Sequence, residues 1–223
     1  SIIKNISVYE YRKKLGASLA KESHVDSDLI VPVPDSGVPA AIGYAGEVKQ
    51  NIELGIIRNH YVGRTFIEPT QQIRSLGVKL KHSINKTLIK NKSLILIDDS
   101  LVRGTTSVKI IKMLYESGAK EVHLRIASPP IKYPDYYGIN TPTKDELLAS
   151  KFNLEEMRKF INATTLQFLS IDGLYKSLGY EKRNTSYPQF TDHCFTGDYP
   201  IEPIDANIKN FSGEKLSFLS SKL

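Results

Sequence analysis

The stretch that most constrains this chain is Leu94-Ile95-Leu96-Ile97-Asp98-Asp99-Ser100-Leu101-Val102-Arg103-Gly104-Thr105-Thr106-Ser107. Its first four residues form an unbroken apolar run, the pattern of a strand covered on both faces and therefore central in a sheet. Two adjacent carboxylates follow at the strand's carboxyl end, where open α/β sheets bind ligands. Beyond them Gly104 and three hydroxyl residues lead into a helix marked by Val108, Ile111 and Tyr115 with Ile110 and Leu114, which stops at Gly118. Unpaired amide hydrogens and the positive end of the dipole suit that helix start to a phosphate, and Gly104 lets the backbone come close. The carboxylates suit ribose hydroxyls or a magnesium ion.

Around this unit the chain alternates. Ser7-Val8-Tyr9-Glu10 has capping-box spacing, and Val8, Tyr11, Leu15 and Leu19 continue at helical intervals to about Lys21. Leu29-Ile30-Val31-Pro32-Val33-Pro34 reads as a strand running into the Asp35-Ser36-Gly37 turn. A small-residue helix over 39–48, a short strand over 52–57 and a strand at Val122-His123-Leu124-Arg125-Ile126 complete a strand-helix alternation that implies a parallel sheet with right-handed crossovers. Residues 58–74 are polar, broken by Gly63 and Pro69, and read as a long loop of the lid type. In the last third, Thr143-Lys144-Asp145-Glu146 has the spacing of a second capping box, residues 154–161 and 171–178 read as helices, and Leu166-Gln167-Phe168-Leu169 suits a strand. This third is assigned to a small lobe against the sheet.

Composition narrows the classes. The 223 residues carry 30 basic and 24 acidic side chains, a formal charge of +6. The positive charges are scattered without interleaved aromatics, so a small phosphorylated ligand fits them better than nucleic acid. No apolar run reaches the about 18 residues needed to span a bilayer, and the N-terminus lacks the core of a secretory signal, so a cytoplasmic location is expected. The single cysteine, Cys194, closes no internal disulfide and reads as a small, half-buried hydrophobe.

The 94–107 segment resembles the phosphoribosylpyrophosphate (PRPP) motif of type I phosphoribosyltransferases. The likeness extends to Val31-Pro32-Val33-Pro34-Asp35-Ser36-Gly37-Val38-Pro39-Ala40-Ala41, Asn59-His60-Tyr61-Val62-Gly63-Arg64-Thr65-Phe66-Ile67, Ile126-Ala127-Ser128-Pro129-Pro130-Ile131, Tyr137-Gly138-Ile139 and Cys194-Phe195-Thr196-Gly197-Asp198-Tyr199-Pro200. These blocks, collinear from about residue 6 to 205, resemble glutamine PRPP amidotransferases, specifically their phosphoribosyltransferase half. The resemblance implies an α/β type I phosphoribosyltransferase fold, a twisted, mainly parallel sheet flanked by helices with a small C-terminal lobe. Residues 1–205 would be that domain, with a flexible loop at 58–74 and the lobe at 130–205, followed by a tail at 206–223.

The activity implied is transfer of ammonia to C1 of PRPP, giving 5-phosphoribosylamine and pyrophosphate in the first step of purine synthesis. Ser36, Asp98 and Asp99 would surround magnesium. The backbone of Asp35, Ser36, Gly37 and Val38 would hold the pyrophosphate, and Arg103, Gly104, Thr105, Thr106 and Ser107 the 5′-phosphate. Tyr61 and Arg64 would act from the closing loop, with Ile67 on the path of ammonia. Full-length relatives begin with a glutaminase domain and this sequence begins just before the first transferase helix, so activity with ammonia alone is expected, with a separate glutaminase subunit or a missing domain as partner. A homo-oligomer is expected, and neither nucleic acid nor membrane as partner.

Departures also matter. Arg58 and His60 replace the Lys and Arg of many relatives. Asp135 and Thr191 stand at two cysteine positions of the branch that carries an iron-sulfur cluster, so none is expected here. Two rivals share the motif: a nucleobase phosphoribosyltransferase, which needs groups to recognise a flat base, and a non-catalytic PRPP-binding regulator, which needs a nucleic-acid-binding surface.

Overall fold

In the computed structural model, which describes residues 1–3, 5–59, 82–139, 141 and 143–201, the apolar run at 94–97 lies inside a four-stranded parallel sheet. In chain order the elements are β1 (Ile2–Ile3), β2 (Ile6–Ser7), α1 (Val8–Ser23), β3 (Leu29–Pro32), α2 (Val38–Val48), β4 (Ile56–Arg58), β5 (His82–Ile84) and α3 (Lys86–Ile89). They continue as β6 (Ser93–Asp98), α4 (Thr105–Glu116), β7 (Glu121–Ile126), α5 (Leu148–Lys151), α6 (Leu154–Ile161), β8 (Thr165–Phe168), α7 (Ile171–Ser177) and α8 (His193–Thr196). The central sheet has the order β3-β6-β7-β8. Leu29 pairs with Leu94, Ser93 with Glu121 and His123 with Thr165.

Side chains alternate across a strand, and β6 shows why both of its faces are apolar. Leu94 and Leu96 pack with Ile110, Ile111 and Leu114 of α4, while Ile95 and Ile97 pack with Leu19 of α1 and Ala40, Ala41 and Tyr44 of α2. All four strand residues are fully buried. Burial of each contributes roughly 1.5–3 kcal/mol.

The two helices on the second face touch through backbone. A Cβ on Gly16 would stand 1.8 Å from the Ala40 oxygen, and one on Gly43 would stand 1.8 Å from the Lys13 oxygen. Further along, Lys21 reaches Glu47 at 3.4 Å, so α1 and α2 run in the same direction.

Several sequence expectations meet their outcome here. Ser7 accepts the amide of Glu10 at 3.1 Å and caps α1, but the Glu10 side chain pairs with Lys13 at 3.3 Å. The capping box expected at 143–146 does not form: Thr143 makes no side-chain cap, the segment is a 3-10 turn over Lys144–Glu146, and the Glu146 carboxylate goes to Arg103. A reciprocal box closes instead at Asn153 and Glu156, opening α6.

The strand expected over 52–57 is displaced. Ile52 makes only an isolated bridge to Ile30, and the strand is Ile56–Arg58, antiparallel to His82–Ile84 in a separate two-stranded sheet. The strand read into the small lobe also sits elsewhere, since Thr165–Phe168 is the fourth strand of the central sheet. What stands off that sheet is a pair of segments, 130–139 and 192–201. They are tied where Lys132 and Tyr133 donate to the Cys194 carbonyl and His193 Nε2 meets Asp135 Oδ2 at 2.8 Å. Most of the 58–74 loop and all of the 206–223 tail lie outside the described residues. Among the described residues no helix is long and apolar enough to cross a membrane.

Candidate active site

The strand ends that carry Asp98 and the Asp35 turn lie side by side because β3 and β6 are paired neighbours. The ladder continues past β3, where Val33 donates to the Ile97 carbonyl at 2.8 Å and Gly37 to the Val33 carbonyl at 3.0 Å. Only glycine fits at 37, since a Cβ there would be 2.5 Å from the Ile97 oxygen and 3.2 Å from the Asp98 Cα. The turn is thus laid against the carboxylate pair.

Together these loops bound a cleft of about 620 Å³. Asp35, Ser36, Asp98, Asp99 and residues 103–107 all line it, so the structure brings together nearly every described residue that the sequence singled out. Gly37 and Val38 stand behind it as the entry to α2. Tyr61 and Arg64, with His60 and Ile67, lie outside the described residues.

Asp98 is buried and its carboxyl is held well above the usual carboxylate range, chiefly by desolvation and then by the charge of Asp99 beside it. Its Oδ1 accepts the Asp99 amide at 2.9 Å, and Ser100 Oγ donates to Asp99 Oδ1 at 3.2 Å. Among the described residues no cation is among the groups that shift Asp98. A buried acid placed so is poised to gain from a metal ion or a ring of hydroxyl donors.

At one end of the cleft α4 begins without a side-chain cap, on Gly104 at φ +75°. A left-handed conformation favours glycine, and a Cβ would also meet Leu148 Cδ2 at 2.9 Å. The first-turn amides have no intrahelical acceptor and the dipole adds positive potential, an anion seat. Thr105 and Thr106 are exposed to it, whereas Ser107 is buried beneath. Arg103 is half-exposed and pairs with Glu146 at 3.1 Å.

At the other end α2 also begins without a side-chain cap, on Gly37. Arg58, at the end of β4, crosses to ion-pair with Asp35 Oδ2, and its Nε is buried without a partner among the described residues. Arg12 of α1 and His82 of β5 also line the cleft. Sequence reasoning missed these three as site residues. Arg12 is one position off the apolar stripe of its helix, and β4 and β5 meet across a long separation, so neither carries a local signature.

The lobe segments hold the remaining singled-out residues. Asp135 accepts from the Tyr137 and Ile139 amides at 2.8 and 3.0 Å as well as facing His193, and His193 stacks on Tyr199 with ring centroids 5.0 Å apart. Burial alone would raise the Asp135 pKa, but those hydrogen bonds and His193 lower it. Cys194 is half-buried, with its thiol pushed up to about 11, first by burial, and Thr191 is exposed. Asp135 thus has a full set of protein partners.

The sequence and the overall fold are shared with known proteins. The chain is 59% identical over 222 residues to an amidophosphoribosyltransferase of Rhizobium etli, covering 99% of this chain and 45% of that one. Over nearly its whole length, the chain is similar to part of that amidophosphoribosyltransferase. The Bacillus subtilis enzyme of that name is 49% identical over 202 residues, covering 91% of this chain and 42% of its own. A solved B. subtilis glutamine PRPP amidotransferase, complexed with ADP and GMP, superposes with a TM-score of 0.79 at 49% identity, over 90% of this chain and 44% of the other. The chain spans less than half the length of these relatives. No protein-family model matches it.

Proposed function

We propose that this chain carries the phosphoribosyl-transfer site of an amidophosphoribosyltransferase, where ammonia displaces pyrophosphate from C1 of PRPP to give 5-phosphoribosylamine, the first step of purine synthesis, in the cytoplasm. The observation that carries the reading is the cleft itself. Two uncapped helix starts, α2 and α4, flank a pair of adjacent carboxylates, which matches a ligand with a phosphate at one end, a diphosphate at the other and a ribose between. A nucleobase phosphoribosyltransferase shares the motif, but the relatives that match 91–99% of the chain are amidophosphoribosyltransferases. The same relatives weigh against a non-catalytic PRPP-binding regulator.

Asp98, Asp99 and Ser36 present hard oxygen donors, and the uncompensated burial of Asp98 fits a divalent cation. Magnesium held there would neutralise charge on the departing pyrophosphate. The protein's own part is electrostatic. The amides at the start of α4 fix the 5′-phosphate, the 35–38 turn fixes the diphosphate, and Asp98 and Asp99 lie where positive charge develops on the ribose. The nitrogen lone pair forms the bond to C1 as the C1–O bond breaks, and the amine's extra proton leaves to solvent. Tyr61 and Arg64 are assigned to the closing loop on family resemblance.

Pyrophosphate release tests the reading. We expect it to require PRPP, magnesium and ammonia together, and to rise with pH as ammonium deprotonates. Release unchanged by omission of ammonia would refute it.

A further inference from the structure

Among the described residues that line the cleft, one arginine has no partner. Arg12 lines it from α1, half-buried, and makes no hydrogen bond or ion pair among the described residues. Its position follows from the helix packing. Packing of α1 on α2 through Gly16 and Ala40 sets it among Pro34, Asp35 and Ser36, the turn that leads into α2, with which it lines the cleft. A guanidinium beside a helix N-terminus meets the positive end of the dipole and is unfavourably placed unless an anion lies between them.

The other cations of the cleft are committed: Arg58 to Asp35 and Arg103 to Glu146. The two ends are therefore unequal. At the α4 end, amides and hydroxyls suffice for a single phosphate. A diphosphate carries more charge, and at the α2 end the one unpaired cation among the described residues is Arg12.

We infer that Arg12 is a leaving-group cation of this site, donating charge-assisted hydrogen bonds to diphosphate oxygens at the start of α2. The inference rests on the phosphoribosyl-transfer reading and adds to it a residue and a side of the cleft. Arg12 would grip the diphosphate both in bound PRPP and as it departs. Arginine suits the task because its planar fork spans two oxygens, which lysine cannot do.

The test separates the two halves of the substrate. Calorimetric titrations with magnesium pyrophosphate and, separately, with ribose 5-phosphate would be run on the wild-type chain, Arg12→Ala and Arg12→Lys, with circular dichroism to confirm folding. We expect Arg12→Ala to weaken pyrophosphate by about tenfold or more and ribose 5-phosphate by less than twofold, with Arg12→Lys in between. Pyrophosphate affinity unchanged in Arg12→Ala, or equal loss of both ligands, would overturn the role of Arg12 while leaving the site intact. A wild-type chain that binds neither ligand would bring down the phosphoribosyl-transfer reading as well.

Discussion

At the strand ends Asp98 is 8% exposed and its strongest neighbour is another carboxylate, whereas in the C-terminal region Asp192 is 3% exposed and surrounded by donors. Arg183 Nε lies 2.6 Å from Asp192 Oδ2 and its Nη2 3.1 Å from Oδ1, Tyr175 OH donates at 2.7 Å, and Thr196 Oγ1 at 3.1 Å. Burial opposes the charge of both acids, but around Asp192 Arg183 and Tyr175 outweigh it and hold the pKa low, while at Asp98 nothing does. The contrast separates two uses of a buried acid. Asp192 ties α7, the 180s and α8 together, whereas Asp98 keeps an unmet electrostatic demand in an open cleft, where a ligand meets it.

Breaking the tie has the largest expected effect. Arg183→Ala leaves a buried carboxylate without its counter-ion and should lower unfolding free energy by about 3–5 kcal/mol in a denaturant titration. A loss below about 1 kcal/mol would mean that Asp192 relaxes to solvent and that the lobe is loosely held. PRPP affinity, measured on the fraction still folded, should change little, since none of these residues lines the cleft.

Acid sharpens the contrast through the sign of each shift. Asp192 and Asp135 have lowered pKa values, so their contribution is complete above the ordinary value of 3.8 and fades as pH falls through the folded values. The stability gap between wild type and Arg183→Ala should therefore narrow below about pH 4. Asp98 is raised, so its effect runs the other way. It costs the fold nothing below 3.8 and costs progressively more as pH rises towards its folded pKa. Stability curves from pH 3 to 8 for the wild type, Arg183→Ala and Asp98→Asn check the two signs, and parallel curves would contradict them.

The two regions were also unequally legible in the sequence. The cleft was readable where function sits on local pattern, because an apolar run, paired acids, a glycine and hydroxyls within one strand-loop-helix dictate their own geometry. Arg12, Arg58 and His82 were not, because packing of α1 on α2 and pairing of β4 with β5 bring them in from afar. The lobe was hardly readable at all. Asp135 and His193 are distant in sequence, and their pairing depends on how two irregular segments cross. Even the strand at 165–168 belongs to the central sheet and not to the lobe its sequence position suggests, since four residues do not announce which sheet they join.

The central claim is that Asp98 is held at the expense of the fold for the sake of a ligand, and Asp98→Asn tests it most directly. Asparagine keeps the acceptor for the Asp99 amide and removes the charge. Thermal unfolding at pH 7 and calorimetric titration with PRPP and magnesium would be measured on the same preparation. Burial and the Asp99 charge both oppose ionisation of Asp98, so the variant should melt above wild type while PRPP affinity falls at least about tenfold. A melting point equal to or below wild type, with PRPP binding retained, would show that Asp98 is a structural acid and that the cleft was misread.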